Sequence, residues 1–495
     1  MRILWALFAL TAAGCDCGDD EKKGECDQAS ECENHQACIA HDCAPCVESE
    51  DCGENAVCDS GPDGAPGCYE PVVIRGRVFD LETGEGIGGA RIVAIDANGA
   101  PTSSVAISEA DGSYELGVPT ERNAEGLVVG AQVTLRADAS GYQTFPGGIR
   151  QALPIDTTAP VESEETDDAD LVVQSALTDI GLLAMPAGSG TGSIHGVVAE
   201  SEDALYGTLV VAETGGVGKS GIADRDGEYA IFNLDAGDYS VQGYARGVVY
   251  EAAAVTLGAA EDLQVDLALS GDATATLDGS IQIVNGGAGN ASSVILVVES
   301  TFDEALKRGD APPGLRAPEP GITVAEGGIS GGFTIDGIPP GRYVILAAFE
   351  NDFLVRDPDT CISGTDILYQ EFTAGQLVDN TDGFKVTGSL DVISPGAEGP
   401  EAVTGNPTLS WVDDSSEDEY HVAVFDSFGE IIWETDIPGE SGGDPAVTYG
   451  GPALEEGMYY QFRATSLRTG GGDTCEISRT EDLKGVFFVA PPAEG

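Results

Sequence analysis

Apolar residues along this chain recur mostly at every second position, in short runs broken by glycine. The clearest case spans 224–241, Asp-Arg-Asp-Gly-Glu-Tyr-Ala-Ile-Phe-Asn-Leu-Asp-Ala-Gly-Asp-Tyr-Ser-Val. Tyr229 and Ile231, then Tyr239 and Val241, stand two apart, so each pair faces one side of a sheet. Related phrases stand at 331–345 (Gly-Gly-Phe-Thr-Ile-Asp-Gly-Ile-Pro-Pro-Gly-Arg-Tyr-Val-Ile) and 110–119 (Ala-Asp-Gly-Ser-Tyr-Glu-Leu-Gly-Val-Pro). Each reads as a strand, a tight hairpin turn and a returning strand, opened by Asp-Gly or Gly-Gly because such turns need positive φ. No long segment carries a 3.6-residue apolar stripe, and 68 glycines sit between short apolar runs. The pattern predicts an all-β chain of tandem antiparallel β-sandwiches behind a small disulfide-rich module.

The start of the chain follows a different pattern. Arg2 precedes the apolar run Ile3–Leu10 and the small residues Thr11-Ala12-Ala13-Gly14-Cys15. This reads as a secretory signal over 1–14, too short for a bilayer-spanning helix of ~20 residues. Ala12-Ala13-Gly14-Cys15 resembles the lipobox of bacterial lipoproteins, with Ala12 where that family usually has Leu. The resemblance implies a diacylglycerol on Cys15 and a tether over 15–25, so that the membrane is met through a lipid anchor alone. The expected address is the outer envelope, on its periplasmic face or at the cell surface.

A ladder of cysteines follows over 26–70. Cys26, Cys32, Cys38 and Cys43 form one four-Cys unit; Cys46, Cys52, Cys58 and Cys68 repeat it. Export places them in an oxidising compartment, so disulfides are expected, two per unit, with the connectivity open. The repeat resembles short Cys-rich modules behind the anchor of bacterial surface proteins. A zinc site from His35, Cys38, His41, Cys43 and Cys46, or a redox pair Cys43-x-x-Cys46, fits the duplicated even count less well. Cys361 and Cys475 stand in similar phrases and are the remaining disulfide candidates; Cys17 is left over if Cys15 is acylated.

Four larger units are expected: 72–188, 189–272, 273–394 with an insertion, and 395–491. In the first, Gly76-x-Val78, Asp80-x-x-Thr83-Gly84, Gly89-Ala90-x-Ile92, Ala110-Asp111-Gly112-x-Tyr114-x-Leu116 and Ala139-Ser140-Gly141-Tyr142 appear in that order. This order resembles the carboxypeptidase regulatory-like domain, a seven-stranded transthyretin-like sandwich grouped with carbohydrate-binding-like folds. The next two units look like further copies. That family's module is the non-catalytic partner in its enzymes, so the name brings no peptidase chemistry. In the last unit, Asn406-Pro407-Thr408-Leu409-Ser410-Trp411 and Leu454-x-x-Gly457-x-x-Tyr460-x-Phe462-x-Ala464 resemble a fibronectin type III domain. The resemblance makes Trp411 a core residue and Tyr460 a corner residue bonded to backbone.

The formal net charge of −63 sets the acids against nucleic acid and anionic membranes as partners. No catalytic, cofactor or metal site is expected. Gly215-Gly216-Val217-Gly218-Lys219-Ser220 imitates a phosphate loop, but Glu213 stands where that motif needs glycine. Asp224-x-Asp226-Gly227 lacks the later ligands of a calcium loop. The four histidines form no zinc-peptidase motif. Arg308-Gly309-Asp310 lies in a proline-rich insertion and is expected to be exposed. The sequence reading is therefore a non-enzymatic surface protein that binds or adheres, with carbohydrate the ligand class implied by the resemblance. The alternative is a structural or assembly protein contacting envelope proteins. Specificity is expected between the repeated phrases, above all at 160–170 and 301–328; oligomeric state is not legible.

Overall fold

The structure, a computed structural model, describes residues 26–489 except 27–30, 33–34, 48, 53–55, 62–64, 96–100, 130–131, 149, 159, 163–170, 200–206, 225–226, 285–291, 305, 307, 318–330, 350–366, 415–416, 440–442, 471–472 and 482–483. The signal segment, Cys15, Cys17, Cys361 and the acidic run 163–170 lie outside the described residues. The described chain is almost entirely strand, with two short 3-10 turns, Ser49–Cys52 and Glu299–Thr301.

The N-terminal module is two hairpins held by four disulfides. Strands Ala37–Ile39 and Asp42–Ala44 pair through a turn in which Ala40 and His41 have φ of 53° and 70°. Val57–Ser60 and Pro66–Tyr69 form the second hairpin. The bonds are Cys26–Cys38, Cys32–Cys43, Cys46–Cys58 and Cys52–Cys68. Both units therefore join first to third and second to fourth cysteine. Each bridge closes a loop of 11 to 16 residues, contributing about 3 kcal/mol by restricting the unfolded chain.

Three sandwiches share one strand order. In the second, Glu228–Leu234, Gly192–Val197 and Asp262–Gln264 form one sheet; Val217–Ala223, Thr208–Thr214, Gly237–Ala245 and Ala253–Leu257 form the other. In the third, Gly331–Ile338, Ala275–Val284 and Leu377–Thr387 face Arg316–Ala317, Ser292–Val298, Gly341–Phe349 and Leu368–Phe372. In the first, Ser113–Val118, Val72–Asp80 and Ile180–Leu182 face Ala106–Ile107, Arg91–Ile95, Gln132–Asp138 and Ile155–Asp156. The last sandwich sets Val392–Ser394, Thr408–Trp411 and Ala446–Thr448 against a six-stranded sheet centred on Tyr459–Gly470.

This order corrects the hairpin reading of the repeated phrase. Glu228–Leu234 pairs with Gly192–Val197, whereas Gly237–Ala245 pairs with Thr208–Thr214 in the opposite sheet. Gly331–Ile338 and Gly341–Phe349 likewise lie in different sheets. The phrase is a corner between layers. Period-two facing is satisfied equally by two strands that line one core from opposite sides, so alternation could not separate the two cases. Pro339-Pro340 at the third corner has no N–H to give to a hairpin ladder. The corners share a tyrosine lock: Tyr239 and Tyr343 donate their hydroxyls to the carbonyls of Asp235 and Pro339, each four residues upstream. Arg91–Ile95 likewise does not return onto Val72–Asp80 but crosses to the other sheet, where it pairs with Gln132–Asp138.

A second lock explains Gly-x-Val. Gly76 lies opposite Tyr114, and Gly196 opposite Tyr229. The tyrosine hydroxyls donate to Thr178 and Val265 carbonyls, both at 2.6 Å. A Cβ on Gly76 or Gly196 would stand 2.0 Å from those same oxygens. In the third copy Gly279 faces Phe333, which fills the space without a hydroxyl.

Candidate functional site

The feature that organises this molecule is a set of buried junctions between sandwiches. Their sequence basis is strands whose residues are apolar in succession, against the prevailing alternation. Ile92 and Ala94 line the core of the first sandwich, while Val93 and Ile95 join a cluster with Leu209, Val211 and Leu296 of the second and third. In Thr208–Thr214, Val210 and Ala212 fill the second core and Leu209 and Val211 the shared cluster. Unbroken apolar runs mark strands covered on both faces, and that signal in Leu209–Ala212 and Val294–Val298 was available in the sequence. Ala423 and Phe425 of the last sandwich join the core of the first in the same way.

Polar groups at these junctions are joined by hydrogen bonds between sandwiches. Arg136, from the first sandwich, donates Nε to Asp138 at 2.8 Å and Nη1 to Asp310 of the third at 2.8 Å. Its Nη2 donates to Ser220 Oγ of the second at 2.9 Å, and Ser220 donates to Asp310 at 2.5 Å. Burial alone would push the guanidinium toward neutrality, but Asp138 and Asp310 outweigh it and hold its pKa above the ordinary value. Arg308-Gly309-Asp310, expected to be exposed, is thus folded into a three-sandwich junction. Arg308 donates Nη1 to the Arg150 carbonyl at 3.1 Å, and Asp310 N donates to Thr301 Oγ1 at 2.9 Å. The partners are 174 and 90 residues away along the chain, beyond the reach of local pattern.

Arg150 performs a similar task between the first and last sandwiches. Its Nη2 donates to the carbonyls of Gly181 and Phe428 at 2.6 and 2.7 Å, and it lies 4.8 Å from the Phe145 ring centroid. Gly429 is required here: a Cβ would stand 2.4 Å from the Gln151 carbonyl, and φ is 78°. Asn233, at φ 61°, donates to Ala139 and Tyr142 carbonyls and accepts from Gly141 N. The second copy thereby grips the Ala139-Ser140-Gly141-Tyr142 turn of the first.

The disulfide module is joined by a different device. In the first sandwich the corner phrase is interrupted by a small hairpin, Glu121–Arg122 and Val128–Val129, which extends the sheet of the module's second hairpin. Asp59 receives bonds from Thr120 N and Oγ1 at 2.9 and 2.6 Å and from Arg122 Nη2 at 3.1 Å. Burial raises the Asp59 carboxyl above its usual range despite those bonds.

All eight cysteines of the module are in disulfides, which removes the thiolates a zinc site would use. His35 stacks on Tyr69 and His41 Nδ1 lies 3.1 Å from the Cys26 carbonyl. Cys475 is disulfide-bonded, and Cys361 lies outside the described residues. Gly215 and Gly216 turn between two paired strands at φ 59° and 85°, and Lys219 Nζ donates to the Asn233 carbonyl, so no phosphate loop forms. Trp411 is fully buried, and Tyr460 accepts from Glu455 N at 2.8 Å, a corner bond. Among the described residues, Tyr369 is the one aromatic among the large exposed apolar side chains. Trp433, Tyr459 and Phe488 are partly exposed.

No family model and no curated protein matches the chain. Among solved structures, a streptococcal ancillary pilin aligns at 12% identity over 64% of this chain and 99% of its own, with a TM-score of 0.16. A DUF3823 family protein from Bacteroides uniformis aligns at 13% over 42% and 97%, TM-score 0.19. A variant of the major pilin subunit of Bacillus cereus aligns at 9% over 64% and 99%, TM-score 0.18. Likeness at this level says nothing of what the chain binds.

Proposed function

We propose that the chain is a non-enzymatic structural component of the bacterial envelope, exported, anchored by a lipid on Cys15, and making protein–protein contacts. The observation that carries this reading is the Arg136–Asp310–Ser220 junction: Asp310, from the insertion where specificity was expected, is bound to strand residues of the other two sandwiches and joins the three. Four disulfides in the module suit an oxidising compartment. No helix among the described residues is long and apolar enough to cross a membrane. Crosslinking in intact cells followed by pull-down is expected to capture envelope proteins. Retention of the purified chain on a glycan array, with no protein captured, would reverse the preference.

A further inference from the structure

Each sandwich holds a parallel pair that ties a strand near its start to one at its end. Val72–Asp80 pairs in parallel with Leu171–Val173 and with Ile180–Leu182. Gly192–Val197 pairs so with Asp262–Gln264, Ala275–Val284 with Leu377–Thr387, and Glu401–Val403 with Val486–Val489. In a parallel pair, the incoming chain enters one end of the ladder and the outgoing chain leaves the other. Tension between the ends slides the strands along each other and loads all the ladder hydrogen bonds together. In an antiparallel pair the two attachments sit at one end, and the same tension peels the bonds one by one.

We propose that this chain bears load: each sandwich is a shear clamp against tension applied along the chain. This deepens the envelope role proposed above, but the clamp rests on strand pairing and does not depend on any partner being found. The ladders also rank the sandwiches. The second is closed by Ser193↔Asp262, Ile194↔Leu263 and His195↔Gln264, and runs on in the same register, through Val265 N to His195 O and Leu267 N to Val197 O, to a bridge at Val198↔Leu267. The third is closed by eight registered pairs in two runs of four, Thr276↔Leu377 to Gly279↔Asn380 and Ile281↔Phe384 to Val284↔Thr387, on either side of a register shift. Forced opening follows the unfolding barrier rather than equilibrium stability, and the third sandwich has more registered pairs to break.

The test is single-molecule pulling of the full, disulfide-intact chain from its two ends. Each opening releases about 3.5 Å per residue, which identifies the sandwich. The second sandwich is expected to open at lower force than the third. The same chain is then pulled through handles attached at Ala273 and Gln376, which precede the two strands of the third clamp on the same side. That geometry peels the ladder and is expected to open the third sandwich at several-fold lower force than end-to-end pulling. Equal forces in the two geometries, or a second sandwich that outlasts the third, would overturn the proposal. Neither outcome depends on whether crosslinking finds an envelope partner, so the two readings fail separately.

Discussion

Arg122 and Arg136 are both buried against aspartate, yet they do different work. The Arg122 and Asp59 side chains are 2% and 1% exposed and form a closed pair between the disulfide module and the first sandwich. Arg136 is 10% exposed and is shared by Asp138 and by Asp310, whose side chain is 30% exposed. The first seam has one anion for one cation, both closed off from solvent. The second has a spare anion and a partly wetted edge. Water access and spare partners, more than the number of bonds drawn, set what each seam contributes.

The closed pair should therefore be the more fragile to truncation. Asp59→Ala removes the one acceptor that serves Thr120 N, Thr120 Oγ1 and Arg122 in a buried seam, which costs about 3–5 kcal/mol. Hydrogen exchange should show the hairpin at 121–129 losing protection together with Val57–Ser60, since the two share a sheet. Asp310→Ala leaves Asp138 on Arg136 and should cost about 1–3 kcal/mol, the range for a lost hydrogen bond to a charged group. Its signature is faster proteolysis at 301–317 with the three-stranded sheets still protected. If Asp310→Ala proves the costlier of the two, the contrast between the seams is wrong.

Much of this fold was legible along the chain. The Cys26–Cys43 and Cys46–Cys68 repeats marked units that each close on themselves, and Trp411 is buried and Tyr460 bonded to backbone, the roles the resemblance implied. The corner at Asp235-Ala236 was misread as a hairpin because alternation records which face is buried and not which sheet holds the strand. The junctions were missed for a different reason. Asp59 and Arg122 are 63 residues apart, and Arg136 and Asp310 174 apart. A charged residue in a strand looks like a solvated face until its distant partner is known.

A pH series sharpens the contrast at Asp59. Its folded pKa is raised, first by burial, so the folded state holds this proton more tightly than the unfolded chain. Stability from this group is complete below the ordinary carboxylate value of 3.8 and is lost as pH rises through the folded value. Asp111 has the opposite sign: bonds from the Ser113 hydroxyl and backbone N–H lower its pKa, so its contribution exists above 3.8 and is lost as pH falls. Denaturant titrations from acid to neutral pH should show wild type losing stability relative to Asp59→Asn as pH rises. Relative to Asp111→Asn, wild type should lose stability as pH falls. Matching slopes for the two variants would remove burial as the distinguishing cause.

The smallest effect is expected at a junction pair that is not buried. Arg342 of the third sandwich meets Glu213 of the second at 2.9 Å, with side chains 47% and 31% exposed. It crosses between sandwiches as Arg136 does, and by distance alone the two are alike. Solvent screening and the entropy of holding two long side chains leave such a pair about 0.2–1 kcal/mol. Arg342→Ala should shift stability by no more than that, and the shift should vanish at high salt. Asp310→Ala should keep most of its effect at the same salt. If the two respond alike, position between sandwiches, and not burial, is what gives a junction charge its weight.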